Sequence, residues 1–265
     1  MNKRNIMIVG GNNIEKQYSA CEWATAQGLA HGIAIAPVTD SEENKNFLAN
    51  MVKSNLDIEN GWMIVKGNVH TDEFLQRVIP LVKALNPQKK VFLSHCAYFT
   101  NPYINQEFIL TDGACVPFPK PEQRTLIVQN AIDLYERLHN HEIVSPNVSF
   151  ISAGGSDNPK TDPELYDWWS NMDFGDINVR LEQLDVALNE EVRKSKGVSG
   201  KTADIIVVKD INQGNAIWKS LTAVSGCGWS VSGLLMGANF PIILSSRGDN
   251  ISSIKGSIKL GAMLY

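Results

Sequence analysis

Pro241-Ile-Ile-Leu-Ser-Ser-Arg-Gly-Asp-Asn250 is the stretch that decides the fold. Its apolar start, Pro241 to Leu244, has the length and composition of a buried strand. Two hydroxyls, an arginine, a glycine and two capping-type residues follow. Ile251, Ile254, Ile258 and Met263 then recur at or near helical spacing. The predicted unit is strand, tight polar turn, helix. Such a turn offers free backbone N–H groups and the positive end of a helix dipole to an anion. Ser245, Ser246 and Arg247 add hydroxyl donors and a guanidinium fork suited to phosphate. An ordinary strand–helix connection capped by Asp or Asn has the same appearance, so the choice falls to the rest of the chain.

Working outward, the same unit recurs. Lys66-Gly-Asn-Val-His-Thr71 follows the apolar run Trp62–Val65 and opens a helix through Phe74, Leu75, Val78, Ile79, Val82 and Leu85. Gly67 permits close backbone approach, Thr71 is placed to cap, and Lys66 is placed to meet a phosphate. Pro80 inside that helix is expected to kink or break it. Lys209-Asp-Ile-Asn-Gln-Gly-Asn215 ends the strand Ile205–Val208 and opens a helix to Val224, with Gly214 and Asn215 as ligand-contact candidates. Three strand-to-helix turns thus carry small, basic or amide residues, and in a parallel α/β sheet ligands bind beyond the carboxyl ends of strands.

The remaining elements fit that class. Ile6–Val9 reads as a strand, Ile14–Leu29 as a helix, and Gly32–Pro37 as a strand. A helix start at Asp40 has its apolar face at Phe47, Leu48, Met51 and Val52. Val91–Phe99 and Glu107–Asp112 are strands close enough in sequence to be antiparallel. Pro121 to Leu138 reads as a long helix with proline in its first turn, Val148–Ser152 as a strand, and Asp162–Met172 as a short helix. Leu181, Leu184, Val186 and Leu188 border a helix ending at residues 194–197, and Gly233–Met236 and Ile242–Leu244 are the last strands. Alternating strands and helices imply right-handed βαβ units and a mainly parallel sheet.

Composition narrows the function. The sequence has 265 residues, 43% hydrophobic and 20% charged, the balance of a soluble globular protein of one or two domains. A net charge of −4 argues against nucleic acid as a main partner and requires a local basic pocket for any polyanion. No apolar run approaches the roughly 20 residues of a membrane span. The basic start before Ile6–Val9 lacks the apolar length of a signal peptide, so a cytoplasmic protein is expected. Cys21, Cys96, Cys115 and Cys227 are widely spread and make no CxxC pair, which predicts free thiols and no metal site. Gly10-Gly11-Asn12-Asn13 lacks the GxGxxG spacing of a dinucleotide site and reads as a turn and cap. Ser94-His95 lies in an apolar strand, where a hydrogen-bonded core histidine is the ordinary case; no G-x-S-x-G elbow supports hydrolase chemistry. His139 and His141 read as a solvated helix end.

The blocks 200–222 and 233–249 resemble the C-terminal signature of phosphate acetyl/butyryltransferases. Lys66–Leu75, Ser94-His95, Leu110-Thr-Asp112 and Val179–Leu188 resemble that family's upstream blocks, in order. The Asp after Arg247-Gly248 is closer to the butyryl branch. The resemblance implies an isocitrate/isopropylmalate dehydrogenase-like pair of α/β domains with the cleft between them, and a homodimer. It implies transfer of a short acyl group (acetyl, propionyl or butyryl) between coenzyme A and inorganic phosphate, by thiolate attack on the acyl phosphate carbonyl. On matching positions, Ser246 and Arg247 would bind the phosphoryl group and stabilise developing charge. Arg77 falls near a family arginine, about one residue out of register. Ser253 stands where the acetyl branch carries a base-type Asp, with Asp249 as a possible replacement.

The expectation is therefore an α/β protein with a first domain over 1–108 and 235–265 and an inserted second domain over 109–234. The expected catalytic residues are Ser246, Arg247 and Asp249. The expected substrate-binding residues are Lys66, Gly67, Thr71, Arg77, Ser94, His95, Gly214, Asn215 and Ser245. Coenzyme A and phosphate are substrates, with no resident cofactor or metal. A family paralogue that binds coenzyme A or an acyl phosphate without turnover is the alternative. A nicotinamide-dependent dehydrogenase lacks its glycine fingerprint and a clustered acidic metal site.

Overall fold

The structure, a computed structural model, describes residues 4–10, 12–36, 61–88, 90–140, 145–224 and 226–265. The predicted helix from Asp40 to Val52 lies outside the described residues. The chain divides into two compact units, one from residues 1–95 and 231–265 and the other from 96–230.

In the first unit, β1 (Arg4–Val9), β2 (Ala30–Ala36), β3 (Trp62–Lys66), β9 (Ser230–Met236) and β10 (Ile242–Ile243) lie in the order β2-β1-β3-β10-β9. The first four are parallel and β9 runs against β10. Strands β1 and β3, buried on both faces, are continuous apolar runs: Ile6, Met7, Ile8 and Val9 in β1, Met63, Ile64 and Val65 in β3. Helix α1 (Glu15–Ala26) packs on α8 (Ile251–Leu264). Helix α2 (Thr71–Leu85) buries Phe74, Val78, Leu81 and Val82.

Of the two outcomes expected of Pro80, a kink or a break, the break does not occur: a single 15-residue helix runs through it. Burial of the apolar face on both sides of the proline holds the helix together where propensity alone would end it.

The second unit carries β4 (Ser94–Asn101, whose first two residues belong to the first unit), β5 (Gln106–Thr111), β6 (Asn147–Ile151), β7 (Asn178–Glu182) and β8 (Ile205–Val207) in the order β4-β5-β8-β6-β7. The β4–β5 hairpin is antiparallel, as expected, and the β5–β8, β8–β6 and β6–β7 pairs are parallel. Helix α3 (Pro121–Leu138) begins at its proline, as the sequence indicated. Next comes α4 (Pro163–Ser170), whose cap Asp162 accepts from Leu165 N at 3.3 Å.

The predicted helix around Leu181–Leu188 is corrected. Residues 178–182 form β7, and two short helices follow, α5 (Leu184–Leu188) and α6 (Glu190–Ser195). Arg193, from α6, is fully buried. It donates to both oxygens of Glu182 at 2.9 and 3.0 Å and to the carbonyls of Val186 and Ser199 at 3.1 and 2.9 Å. This pairing between strand and helix overrides the helical spacing of the leucines. Helix α7 (Ile211–Ala223) completes the unit, capped by Asp210.

Candidate functional site

Two turns of the first unit meet at one strand edge. Strand β10 pairs in parallel with β3, Ile242 level with Ile64 and Ile243 with Val65. Continuing that register brings Lys66 level with Leu244 and Gly67 with Ser245. Both predicted phosphate turns therefore leave the sheet side by side.

The backbone fit there is close. A β-carbon on Gly10 would lie 2.5 Å from Gly67 Cα, and one on Gly67 would lie 2.7 Å from Gly10 Cα. Gly67 N donates to Val9 O at 2.8 Å. The two glycines let the ends of β1 and β3 touch, which no side chain would allow. Gly10 is thus a packing glycine of the edge; the cap expected from the Gly10–Asn13 stretch is not found among the described residues, since the N-cap of α1 is Ile14 with no side-chain hydrogen bond.

The turn after β10 is held by its own side chains and by α1. Asp249 Oδ2 accepts from Ser246 N at 2.7 Å, and Ser246 Oγ accepts from Gly248 N at 3.3 Å. Lys16 Nζ donates to the carbonyls of Arg247 and Asp249 at 3.1 and 3.0 Å. The cap of α8 is Asn250, whose side chain accepts from Ser253 N at 2.9 Å. Asp249 is thereby tied to the turn and does not cap the helix. Ser245 is buried, and among the described residues its hydroxyl oxygen has no partner. Arg247 is exposed, with Nη1 3.3 Å from His70 Nε2.

The second turn is anchored by α2. His70, not Thr71, is its N-cap, and His70 N donates to Glu73 Oε2 at 3.2 Å. Thr71 is the first helical residue. Arg77 is buried on α2, donating from Nη1 to Glu73 O at 2.8 Å; among the described residues its Nε has no partner. Lys66 is 1% exposed at the end of β3. Burial, and next the Arg247 guanidinium, push its pKa down to about 8, against the pull of Asp249 and Glu73.

Ser94 and His95 are fully buried at the start of β4. A β-carbon on Gly233 would come within 2.9 Å of His95 Nε2, so Gly233 makes room for the imidazole in β9. Gly233 O accepts from Leu244 N at 3.2 Å, which sets His95 beside the residue that precedes Ser245.

Gly214 and Asn215 belong to the second unit. Gly214 is buried in the first turn of α7, where a β-carbon would lie 2.6 Å from Gly113 Cα. Its observed role is close packing of that helix on the loop after β5. Asn215 is exposed. Asp112 Oδ1 in the same loop accepts from Ala114 N and Cys115 N at 2.9 and 2.7 Å.

The structure thus gathers Lys66, Gly67, Ser245, Ser246, Arg247 and Asp249 in one unit, with Thr71, Arg77 and His95 nearby on adjoining elements. Sequence reasoning passed over Lys16, His70, Glu73 and Gly233. Glu73 carried half of a capping-box signal, an acid in the first turn of a helix, but His70 is not a preferred capping type and carried none. Lys16, on a distant helix, carried none. Among the described residues no group of three or more His, Cys, Asp or Glu could hold a metal ion, and no helix is long and apolar enough to cross a membrane.

Known proteins were compared with this chain. A family model described as phosphate acetyl/butaryl transferase matches residues 3–262. A phosphate acetyltransferase of Rhizobium meliloti is 30% identical over 212 residues, which cover 77% of this chain and 65% of that protein. A phosphate butyryltransferase of Clostridium acetobutylicum is 32% identical over 212 residues, covering 76% of this chain and 68% of its own length. The match thus spans about two thirds of the length of these relatives. A branched-chain phosphotransacylase from Enterococcus faecalis V583 shares the fold, with a TM-score of 0.77, 22% identity and 98% coverage of both chains. With nearly every residue inside the family match, and the Lys66 and Ser245–Asp249 turns joined at one edge, this chain belongs to the phosphate acetyl/butaryl transferase family.

Proposed function

We propose that the protein transfers a short acyl group, acetyl, propionyl or butyryl, between coenzyme A and inorganic phosphate. The observation that carries this reading is the convergence of Lys66-Gly67 and Ser245–Asp249 at the parallel edge of β3 and β10. The names of the matched relatives point the same way. Ser246 and Arg247 hold the phosphoryl group, with the buried Ser245 hydroxyl and Lys66 behind them. Arg247 also stabilises the charge that develops as the carbonyl is attacked. Asp249 keeps the Ser246 N–H and the turn in place. Gly67, Thr71, Arg77, Ser94 and His95 shape the same edge; Gly214 packs α7 within its own unit, and Asn215 is exposed there.

In the reaction, the thiolate of coenzyme A adds to the acyl phosphate carbonyl carbon. The C–S bond forms, the C–O bond to phosphorus breaks, and inorganic phosphate leaves with the electron pair. Coenzyme A enters as a substrate, with no resident cofactor or metal. We further propose a first domain from both ends of the chain with a second inserted in it, a homodimer, and a cytoplasmic location with no nucleic-acid partner.

Phosphate-dependent release of free thiol from acetyl-, propionyl- and butyryl-coenzyme A tests the reading. Release with at least one of them is expected. Binding of coenzyme A without release from any would instead identify a non-catalytic paralogue.

A further inference from the structure

The phosphate edge holds one group whose chemistry goes beyond anion binding. Lys66 is 1% exposed, yet among the described residues its ammonium makes no hydrogen bond or ion pair. Among the described residues, the charged groups that act on it come from two neighbouring elements. From the turn before α8 come Arg247 and Asp249, and from α2 comes Glu73. Both carboxylates are engaged elsewhere: Asp249 Oδ2 accepts from Ser246 N at 2.7 Å and Glu73 Oε2 from His70 N at 3.2 Å. Lys16, from α1, is occupied with the carbonyls of Arg247 and Asp249, and Arg77 with Glu73 O. His70 Nε2 lies against Arg247 Nη1 at 3.3 Å.

Burial, a neighbouring guanidinium and the lack of a partner disfavour the ammonium, so that a minor but usable share of Lys66 is the neutral amine near neutral pH. A neutral lysine at the end of a strand, beside a phosphate turn, is a proton acceptor. The acyl transfer needs one, because the thiolate and not the thiol is the nucleophile.

We propose that Lys66, as the free amine, takes the proton of the coenzyme A thiol at the phosphate edge. This rests on the acyltransferase reading above. The amine lone pair forms an N–H bond as the S–H bond breaks, which leaves a thiolate and an ammonium. The thiolate then forms the C–S bond, the C–O bond to phosphate breaks, and the new ammonium neutralises or protonates the departing phosphate. The downward shift of the lysine to about 8 matches a base that works near neutral pH.

The test follows acetyl or butyryl phosphate plus coenzyme A for the wild type, Lys66→Arg, Lys66→Met and His70→Gln across pH. Lys66→Arg keeps a positive charge but cannot deprotonate. It is expected to lose on the order of 10²–10⁴ in kcat and the acidic limb of the profile. The selenol analogue of coenzyme A, already an anion at neutral pH, is expected to restore most of that rate. An active wild type with an equally active Lys66→Arg and an unchanged pH profile would overturn the proposal, leaving Lys66 a fixed charge on phosphate. So would loss of the acidic limb in His70→Gln with Lys66→Arg unaffected. A wild type without turnover overturns the acyltransferase reading, and this proposal with it. If the Lys66 variants do not fold, lysine 13Cε NMR titration of the wild type decides: a midpoint near 8 supports the proposal and one above about 10 overturns it.

Discussion

Replacing Gly67 with alanine tests whether the edge needs two bare backbones in contact. The added methyl would lie 2.7 Å from Gly10 Cα, 3.1 Å from Val9 O and 3.2 Å from Gly10 N. All three are backbone atoms of β1 and its exit, so none can swing aside as the end of a side chain would. Ordinary contact begins near 3.4 Å, so the strand ends must part by at least 0.7 Å. That strains the Gly67 N to Val9 O bond, now 2.8 Å, and moves Lys66 relative to Ser245. Overpacking of this kind costs about 1–3 kcal/mol, and loss of the hydrogen bond adds about 1 kcal/mol. Gly61→Ala is the control, since nothing lies within 4 Å of its β-carbon. Urea unfolding and acyl-transfer rates of both variants give the comparison. Gly67→Ala should be destabilised by roughly 2–4 kcal/mol against Gly61→Ala and should lose most of its activity. Equal stability and equal rates in the two variants would refute the contact between β1 and β3 as the basis of the site.

Other outcomes follow from the same geometry. Arg247→Ala should lose about 2–4 kcal/mol of transition-state stabilisation in kcat/KM, with little change in the unfolding midpoint because its side chain is exposed; an unchanged rate removes Arg247 from the chemistry. Glu182→Gln leaves the buried Arg193 without its counter-charge and should destabilise by roughly 3–5 kcal/mol in denaturant unfolding. Burial pushes the Cys21 thiol from 9.0 up to about 12. The folded thiol therefore stays protonated where the unfolded one ionises. The stability it contributes is complete below pH 9 and falls as pH rises toward 12, which a Cys21→Ala comparison by urea unfolding would detect. At mildly alkaline pH, mass spectrometry after alkylation should find Cys227 modified first, with Cys21 and Cys96 protected until the chain unfolds.

Much of this protein was legible in its sequence because the signals are local. Apolar runs such as Ile6–Val9 and Trp62–Val65 have no polar alternation, so they had to be strands covered on both faces. The β4–β5 hairpin and the start of α3 at Pro121 were set by short spacing and by proline geometry. The strand, polar turn and helix around Ser245–Asp249 were readable from residue types alone. What periodicity misjudged were places where distant contacts prevail. Burial carried α2 through Pro80, and the Arg193–Glu182 pair, which joins residues 11 apart, turned a supposed helix into a strand and two short helices.

By itself, the sequence determined most of the order of the described elements, the α/β class and the three glycine-bearing turns, since each depends on neighbours within a few residues. Only the tertiary structure decided what those turns do to one another. The contact of Gly10 with Gly67 joins residues 57 positions apart in the sequence, and Lys16 reaches the carbonyls of Arg247 and Asp249 across more than 230. The depressed pKa of Lys66 is likewise a product of burial and of the Arg247 charge, neither of which exists in the extended chain.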